Sequence, residues 1–427
     1  MTGKTYTITE YGSFSRGIVA PGCISLPENT FDKLERFVLE NSTKSSTPIE
    51  LMSLSLRKHI GKVITAKNHV GVVVMDDGTV IEILPKIYGE TNETESKQLF
   101  LRMLATLQNT PFKSMQSTSL HTDKLPVFEV FIQMFIAEAY RVVKRGLKSG
   151  YETVEDNLHV CKGKIDFTKQ IRENFVHKER FYMCYDLFNH NQPENRLVRS
   201  TLQYLVRRSC SSKNRSDLKV LLNIFEQIPE SYDIQRDFSC CTNDRQSQHY
   251  RLLLSWCKVF LDGKSFSSFT GSKVAYALLF PMEKLFENYV AKQLKRQLSC
   301  SHYTVSSQHT GKYLFDTPKK FSLRPDIVIT DSANEPVYIM DTKWKVLTDD
   351  PQKNYGISQA DMYQMYAYQK KYGSTVNCVT LLYPMTEHLA KKNIRFLSDD
   401  GVCVHVFFID LLHIDNLSRE LQALLGF

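Results

Sequence analysis

The stretch Leu323-Arg-Pro-Asp-Ile-Val-Ile-Thr-Asp-Ser-Ala-Asn-Glu-Pro-Val-Tyr-Ile-Met-Asp-Thr-Lys-Trp-Lys345 decides how this chain is read. Two short apolar runs, at 325–330 and 336–341, flank the polar run Asp331-Ser-Ala-Asn-Glu335, which is the composition of strand, turn and strand. Side chains alternate faces along a strand, so Asp341 and Lys343 project together. If the two runs pair as a hairpin, Asp326 at the start of the first meets the end of the second. Two ionised carboxylates at close range repel, and a divalent cation relieves that repulsion. A hard Mg2+ takes oxygen ligands and keeps positions for water and phosphate. A neighbouring lysine can orient or help deprotonate the attacking water and balance charge on a scissile phosphate. That assembly suits phosphodiester hydrolysis. Asp-x-Lys alone is a common pattern of solvated strand ends. What favours a site is the apolar body of both strands and an acid on the helix before them.

Working outward, 427 residues suffice for two or three domains, each with its own core. A hydrophobic fraction of 42% with 23% charged residues is that of a globular chain, neither disordered nor membrane-embedded. The formal charge of +8, from 54 basic and 46 acidic residues, would favour a polyanionic partner and equally fits an ordinary solvated surface. Ten cysteines are scattered, Cys240 beside Cys241, with no C-x-x-C pair, so neither a zinc ribbon nor a disulfide framework is signalled. The start, MTGKTYTITEYGSFSRG, has no apolar signal core, and apolar runs such as Phe131-Ile-Gln-Met-Phe-Ile136 are soon interrupted by charge. The expectation is a cytoplasmic protein with reduced thiols and no membrane partner.

The expected fold class is α+β and multidomain. Residues 1–95 read as a β-rich N-terminal domain, with period-two runs Lys62-Val-Ile-Thr-Ala66 and Gly71-Val-Val-Val-Met-Asp-Asp-Gly-Thr-Val-Ile-Glu-Ile-Leu84. The Asp77-Gly78 pair is a hairpin signal, and 34–40 and 51–59 read as short helices. Residues 96–270 read as a mostly helical connector, with helices at 97–108, 126–148, 194–210, 215–228 and 247–261 and an extended piece, Cys161-Lys-Gly-Lys-Ile-Asp-Phe167. Residues 271–427 read as an α/β domain with a mixed sheet. Its order is a helix from Pro281 to Leu294, strands at 303–308, 325–330 and 336–341, a helix at 358–371, strands at 377–383 and 402–409, and a final helix.

Pro325-Asp326 followed by Asp341-Thr342-Lys343 resembles the motif of the PD-(D/E)xK nucleases. The resemblance implies a mixed sheet flanked by helices, with an acid on the first helix completing the metal site. Glu287 is the better candidate for that acid and Glu283, one turn earlier, the alternative; their spacing places both on one helical face. Gln364 and Tyr368, at i and i+4 about twenty residues after the lysine, are similar to the Gln-x-x-x-Tyr helix of RecB-like members, where the glutamine lies near the active site.

The order of Ile81-Glu-Ile-Leu-Pro-Lys-Ile87, Leu101-Arg-Met-Leu104, Lys162-Gly-Lys-Ile-Asp-Phe167, Tyr185-Asp186, Asn195-Arg-Leu197 and the Asp-Thr-Lys run resembles the McrC family over most of the chain after about residue 60. McrC is the cleaving subunit of McrBC-type modification-dependent restriction systems, which serve in antiviral defence. The resemblance implies a Mg2+-dependent endonuclease, with Mn2+ able to substitute, acting on double-stranded, methylated DNA. It also implies assembly with an McrB-like AAA+ GTPase ring, into which the N-terminal part inserts and whose GTP hydrolysis it stimulates. The metal ligands would be Asp326, Asp341, Glu287 and the Thr342 carbonyl. Lys343 would position the water and Gln364 would support the site.

The chain itself carries no phosphate-cradling loop: Gly263-Lys264-Ser265 ends like one, but Lys258 stands where its first glycine belongs, and Gly3-Lys4-Thr5 has no preceding strand. Among other charged groups, Arg141 to Lys148 reads as a helix C-terminus and Asn195 and Arg196 as structural contacts. Lys319, Lys320 and Arg324 are candidates for phosphate contact. Pro85-Lys86 reads equally as a strand exit or a partner contact, and His388 and His405 read as packing or surface residues. Two rival readings remain: a non-catalytic activator of a GTPase ring, against which the intact Asp326, Asp341 and Lys343 argue, and a stand-alone repair or junction nuclease.

Overall fold

The computed structural model describes residues 4–413 except 44–50, 76, 88–91, 108–109, 115–124, 242–246, 262–273, 300, 374, 377, 387–388 and 390–392. The expected final helix, Gly263-Lys264-Ser265 and His388 therefore lie outside the described residues. The architecture is mixed α and β with several sheets. Two compact units are formed, one by residues 4–127 with 266–427 and the other by 128–265.

The first unit opens with β1 (Thr5–Thr9), β2 (Ser13–Arg16), β3 (Cys23–Leu26), α1 (Glu28–Thr43), β4 (Met52–Arg57), β5 (Gly61–Ala66), β6 (His69–Met75), β7 (Val80–Leu84) and α2 (Glu93–Leu104). The Asp77-Gly78 turn forms as expected: Gly78 takes φ +84° and the Asp77 carboxylate accepts the Thr79 amide at 2.9 Å. The helix expected at 51–59 is instead β4, antiparallel to β5. Its Met-Ser-Leu-Ser-Leu alternation has period two, and pairing satisfies a backbone that so short a helix would leave half unbonded.

The second unit comprises α3 (Val127–Arg145), β8 (Gly150–Leu158), β9 (Lys164–Ile165), α4 (Phe167–Glu173), β10 (Phe181–Asn189), α5 (Pro193–Val206), α6 (Ser212–Ile224), α7 (Ile234–Cys240) and α8 (Arg251–Leu261). It is helical as expected, but it also holds a three-stranded sheet ordered β8-β10-β9. The sequence hides β8 because Gly-Tyr-Glu-Thr-Val-Glu-Asp-Asn-Leu is polar and largely exposed. Cross-strand pairs hold it, among them Tyr151 against Phe188 at 5.1 Å and Thr153 donating to Asp186 at 2.8 Å. Asn195 is structural, as read from the sequence. Its amide donates to the carbonyls of Lys148 and His190, both at 2.8 Å, and its oxygen accepts the Tyr250 hydroxyl at 2.6 Å. Arg196 grips Asp237 with two nitrogens.

The chain then returns to the first unit with β11 (Val274–Pro281), α9 (Met282–Gln297), β12 (Thr304–Ser307), β13 (Lys312–Asp316), β14 (Lys319–Leu323), β15 (Ile327–Thr330), β16 (Pro336–Thr342), α10 (Gln359–Tyr372), β17 (Val379–Pro384), β18 (Ile394–Leu397) and β19 (Cys403–Ile409). β11 joins the sheet β1-β7-β6-β11, antiparallel to β6. The approach requires Gly71, whose φ is +143° and where a Cβ would lie 1.9 Å from the Leu278 carbonyl oxygen. The largest sheet, β12-β15-β16-β17-β19-β18, is mixed, with β16, β17 and β19 parallel and the remaining pairings antiparallel. Helix α10 is the crossover between β16 and β17. It buries Met365, Tyr368 and Tyr372 against Ile339, Leu381, Tyr383, Val404 and Val406. Among the described residues no helix is long and apolar enough to cross a membrane.

Candidate active site

The hairpin that the sequence required is formed. β15 and β16 are antiparallel, with Ile327 opposite Met340, and the Asp331 carboxylate closes the turn by accepting the amides of Ala333 and Glu335, each at 2.9 Å. One step further along that register sets Asp326 opposite Asp341. Asp326 is held by Thr342, whose amide and hydroxyl donate to its Oδ2 at 2.8 and 2.6 Å.

Ile339 faces α10, so period two puts Asp341 and Lys343 on that same face. The Lys343 ammonium lies 2.5 Å from Asp341 Oδ2 and 3.7 Å from Asp361. Gln364 joins them: its oxygen accepts from Lys343 at 3.1 Å, and its amide donates to Asp341 at 3.4 Å and to the Tyr368 hydroxyl at 2.7 Å. Gln364 and Tyr368 adjoin because they are four apart on one helix.

The electrostatics are those of crowded acids. Burial pushes the Asp341 carboxyl up to about 7, and the Asp326 charge adds to the rise against the opposing pull of Lys343. Burial pulls the Lys343 ammonium down, but Asp341, Asp361 and Asp326 outweigh it, and the net shift is upward. Glu287 is likewise raised, first by burial and then by Asp326. Its carboxylate accepts the Gln308 side-chain amide at 2.8 Å. Glu283 has gone elsewhere: it accepts from Asn68 at 2.6 Å, and its charge acts on Glu10 and His69. Of the two candidate acids, Glu287 is thus the one on which the Asp326 charge acts.

Among the described residues no three or more acids, histidines or cysteines are gathered as a metal cluster, yet these acids crowd one another. Asp341 Oδ2 is buried and, beyond its ion pair with Lys343, accepts no hydrogen bond. The Asp326 charge adds to the rise of both the Asp341 and the Glu287 carboxyl, the repulsion that a hard cation removes. Thr342, named from the sequence through its carbonyl, also contributes the two donors that fix Asp326.

Three participants escaped the sequence reading. Asp361, one turn before Gln364 on α10, accepts from Lys345 at 3.1 Å and flanks Lys343; its i, i+3 spacing to Gln364 was the available signal. Gln308, just beyond β12, holds Glu287 and also bonds its backbone amide to the Asp326 carbonyl at 2.8 Å. Glu10, at the end of β1, accepts the indole N–H of Trp344, and no local pattern announces it.

A family model described as "McrBC 5-methylcytosine restriction system component" matches residues 64–384. The Type IV methyl-directed restriction enzyme EcoKMcrBC of Escherichia coli (strain K12) is 20% identical over 293 residues, 63% of this chain and 83% of that protein. A chain from a half-complex of Thermococcus gammatolerans McrB AAA+ hexamers with bound McrC superposes with a TM-score of 0.71 at 19% identity, covering 99% of this chain and all of that one. A chain of the Thermococcus gammatolerans McrBC complex gives 0.52 at 20% identity over 69% of this chain and 88% of that one.

Proposed function

This chain belongs to the family of McrBC 5-methylcytosine restriction system components, and on that premise we propose that it is the cleaving subunit of a modification-dependent restriction complex. The activity is that of a metal-dependent endodeoxyribonuclease of the PD-(D/E)xK type, acting on double-stranded, methylated DNA. Its partner is an AAA+ GTPase ring whose GTP hydrolysis it stimulates. The partner reading is supported by the similarity to a structure of McrB AAA+ hexamers with bound McrC.

The observation that carries the nuclease reading is the convergence of Asp326, Asp341, Lys343 and, from α10, Gln364 at one end of the paired interior strands β15 and β16. Asp326, Asp341, Glu287 and the Thr342 carbonyl would hold Mg2+, with Mn2+ as substitute. The cation would supply charge stabilisation to the pentavalent phosphorane-like transition state and lower the pKa of an attacking water. The chain's own groups do the rest. Thr342 fixes the Asp326 carboxylate by two hydrogen bonds. Gln364 holds the Lys343 ammonium on one side while Asp341 and Asp361 hold it charged, ready to donate hydrogen bonds to the water and to a non-bridging phosphate oxygen. Tyr368 keeps the Gln364 amide turned so that its oxygen faces the lysine.

The test is Asp341→Ala and Lys343→Ala in the reconstituted complex. Loss of DNA cleavage by at least about a hundredfold, with partner GTPase stimulation retained, is expected. Cleavage at the original rate by either folded variant would overturn the assignment. GTPase stimulation by the wild-type chain with no DNA cleavage in the same complex would favour the non-catalytic activator.

A further inference from the structure

Neighbouring strands β12 and β15 are joined by a long excursion instead of a tight turn. β12 ends with Ser307 opposite Ile327, and the Gln308 amide donates to the Asp326 carbonyl at 2.8 Å. The intervening chain thus leaves and returns at the Asp326 end of the sheet. It forms the antiparallel ribbon β13–β14, exposed on both faces except for partial cover of Tyr313 and Leu323. Two contacts root the ribbon on α10, the helix carrying Gln364: Lys371 pairs with Asp316 at 2.8 Å, and the His309 ring meets the Tyr372 hydroxyl at 3.0 Å.

The ribbon is chemically uniform. Lys312, Lys319, Lys320 and Arg324 are all exposed, and the one acid between them, Asp316, is already matched by Lys371. Phe315 and Phe321, 56% and 70% exposed, touch edge to face with centroids 5.9 Å apart. Folding gains little from two phenylalanines displayed on the exposed part of the ribbon, whereas an aromatic pair among cations suits a polyanion with apolar surface between its charges. Duplex DNA has that character, with one charge per ~1.7 Å of axis and a major groove wide enough for a two-stranded ribbon.

We propose that the β13–β14 ribbon grips duplex DNA beside the cleavage centre, with Lys312, Lys319, Lys320 and Arg324 on phosphates and the Phe315–Phe321 pair toward the groove. This deepens the nuclease reading and rests on it. The test is binding of the purified full chain to a short fluorescent duplex, in chelator, over a salt series. Lys319→Ala with Lys320→Ala should weaken binding and flatten the plot of log affinity against log salt by about 0.9 per lost contact. Lys319→Arg with Lys320→Arg should restore it, and Phe315→Ala with Phe321→Ala should weaken binding at every salt with the slope unchanged. An unaltered slope and affinity in the double alanine variant, or no binding by the wild-type chain at low salt, overturns the proposal. Cleavage by the Asp341→Ala complex judges the nuclease reading while the salt slope of the Lys319 and Lys320 variants judges the ribbon, so the two can fail separately.

Discussion

Trp344, the residue after the site lysine, donates its indole N–H to both carboxylate oxygens of Glu10, at 3.2 and 3.0 Å, across 334 residues of sequence. Glu10 also accepts the Lys86 amide at 3.1 Å, and the Trp344 ring packs against Phe286, which precedes Glu287, with centroids 5.3 Å apart. One buried contact thus ties the end of β1 to the strand that bears Lys343 and to the helix that bears Glu287.

That contact predicts a pH dependence. Burial pushes Glu10 up to about 7 from an ordinary 4.5, the nearby Glu283 charge adding to the rise and the Lys86 and Trp344 donors opposing it. Between those pH values the folded chain holds a proton that the unfolded chain has lost. The contribution of Glu10 to stability is therefore complete below about pH 4.5 and is lost as pH rises through about 7, an effect of about 3 kcal/mol. Glu10→Gln has no charge to desolvate and is expected to melt above wild type at pH 8, the gap narrowing toward pH 5. Calorimetric scans that give the same gap at both pH values would contradict this.

Trp344→Phe keeps a ring for Phe286 but removes the donor to Glu10, leaving a buried carboxylate less well satisfied. A stability loss of about 1–3 kcal/mol is expected, measurable by denaturant unfolding. DNA cleavage should fall more than GTPase stimulation, because the residue adjoins Lys343. Equal effects on the two activities would show that Trp344 serves the fold alone.

Glu129 gives a prediction in the other unit. Its buried carboxylate accepts from the Cys210 and Ser211 amides, at 2.5 and 3.2 Å, from the Ser209 hydroxyl at 2.8 Å and from the Asn214 amide at 2.7 Å. It thereby satisfies the N-terminus of α6 from α3, where a negative charge also meets the favourable end of the helix dipole. Glu129→Ala strands these donors and should cost about 3 kcal/mol, with Glu129→Gln intermediate. An alanine variant that melts with wild type would refute the account.

The sequence carried the site wherever its geometry is local. The Asp331–Glu335 turn fixes the hairpin register, period two sets Asp341 beside Lys343, and helical spacing sets Gln364 beside Tyr368. It did not carry Glu10, whose partner is 334 residues away, or the β8–β10 ribbon, whose polar strands are selected by each other and not by a core. β11 escaped for a related reason: its partner β6 comes from the N-terminal part, and the clue, Gly71, reads only as a flexible residue until Leu278 is seen beneath it. The choice between Glu283 and Glu287 was closed to the sequence because one helical face carries both, and what separates them is what stands opposite each.

That separation is the sharpest test of the site. Glu287 is held by Gln308 and feels the Asp326 charge, whereas Glu283 is bonded to Asn68 beside Glu10. Glu287→Gln keeps the volume and an acceptor for Gln308 but removes one negative charge from the acid cluster. It is expected to weaken divalent-cation affinity about 10- to 100-fold, read both by calorimetric titration of Mn2+ and by the cation concentration that half-saturates cleavage. Glu283→Gln should leave both readouts at wild-type values, since its neighbours lie at the β1 and β6 ends and not at Asp326. The reverse ranking would move the third carboxylate of the site one turn back along α9. Equal, wild-type behaviour of both variants would remove the helix acid from the cation site and leave Asp326 and Asp341 as its only carboxylates.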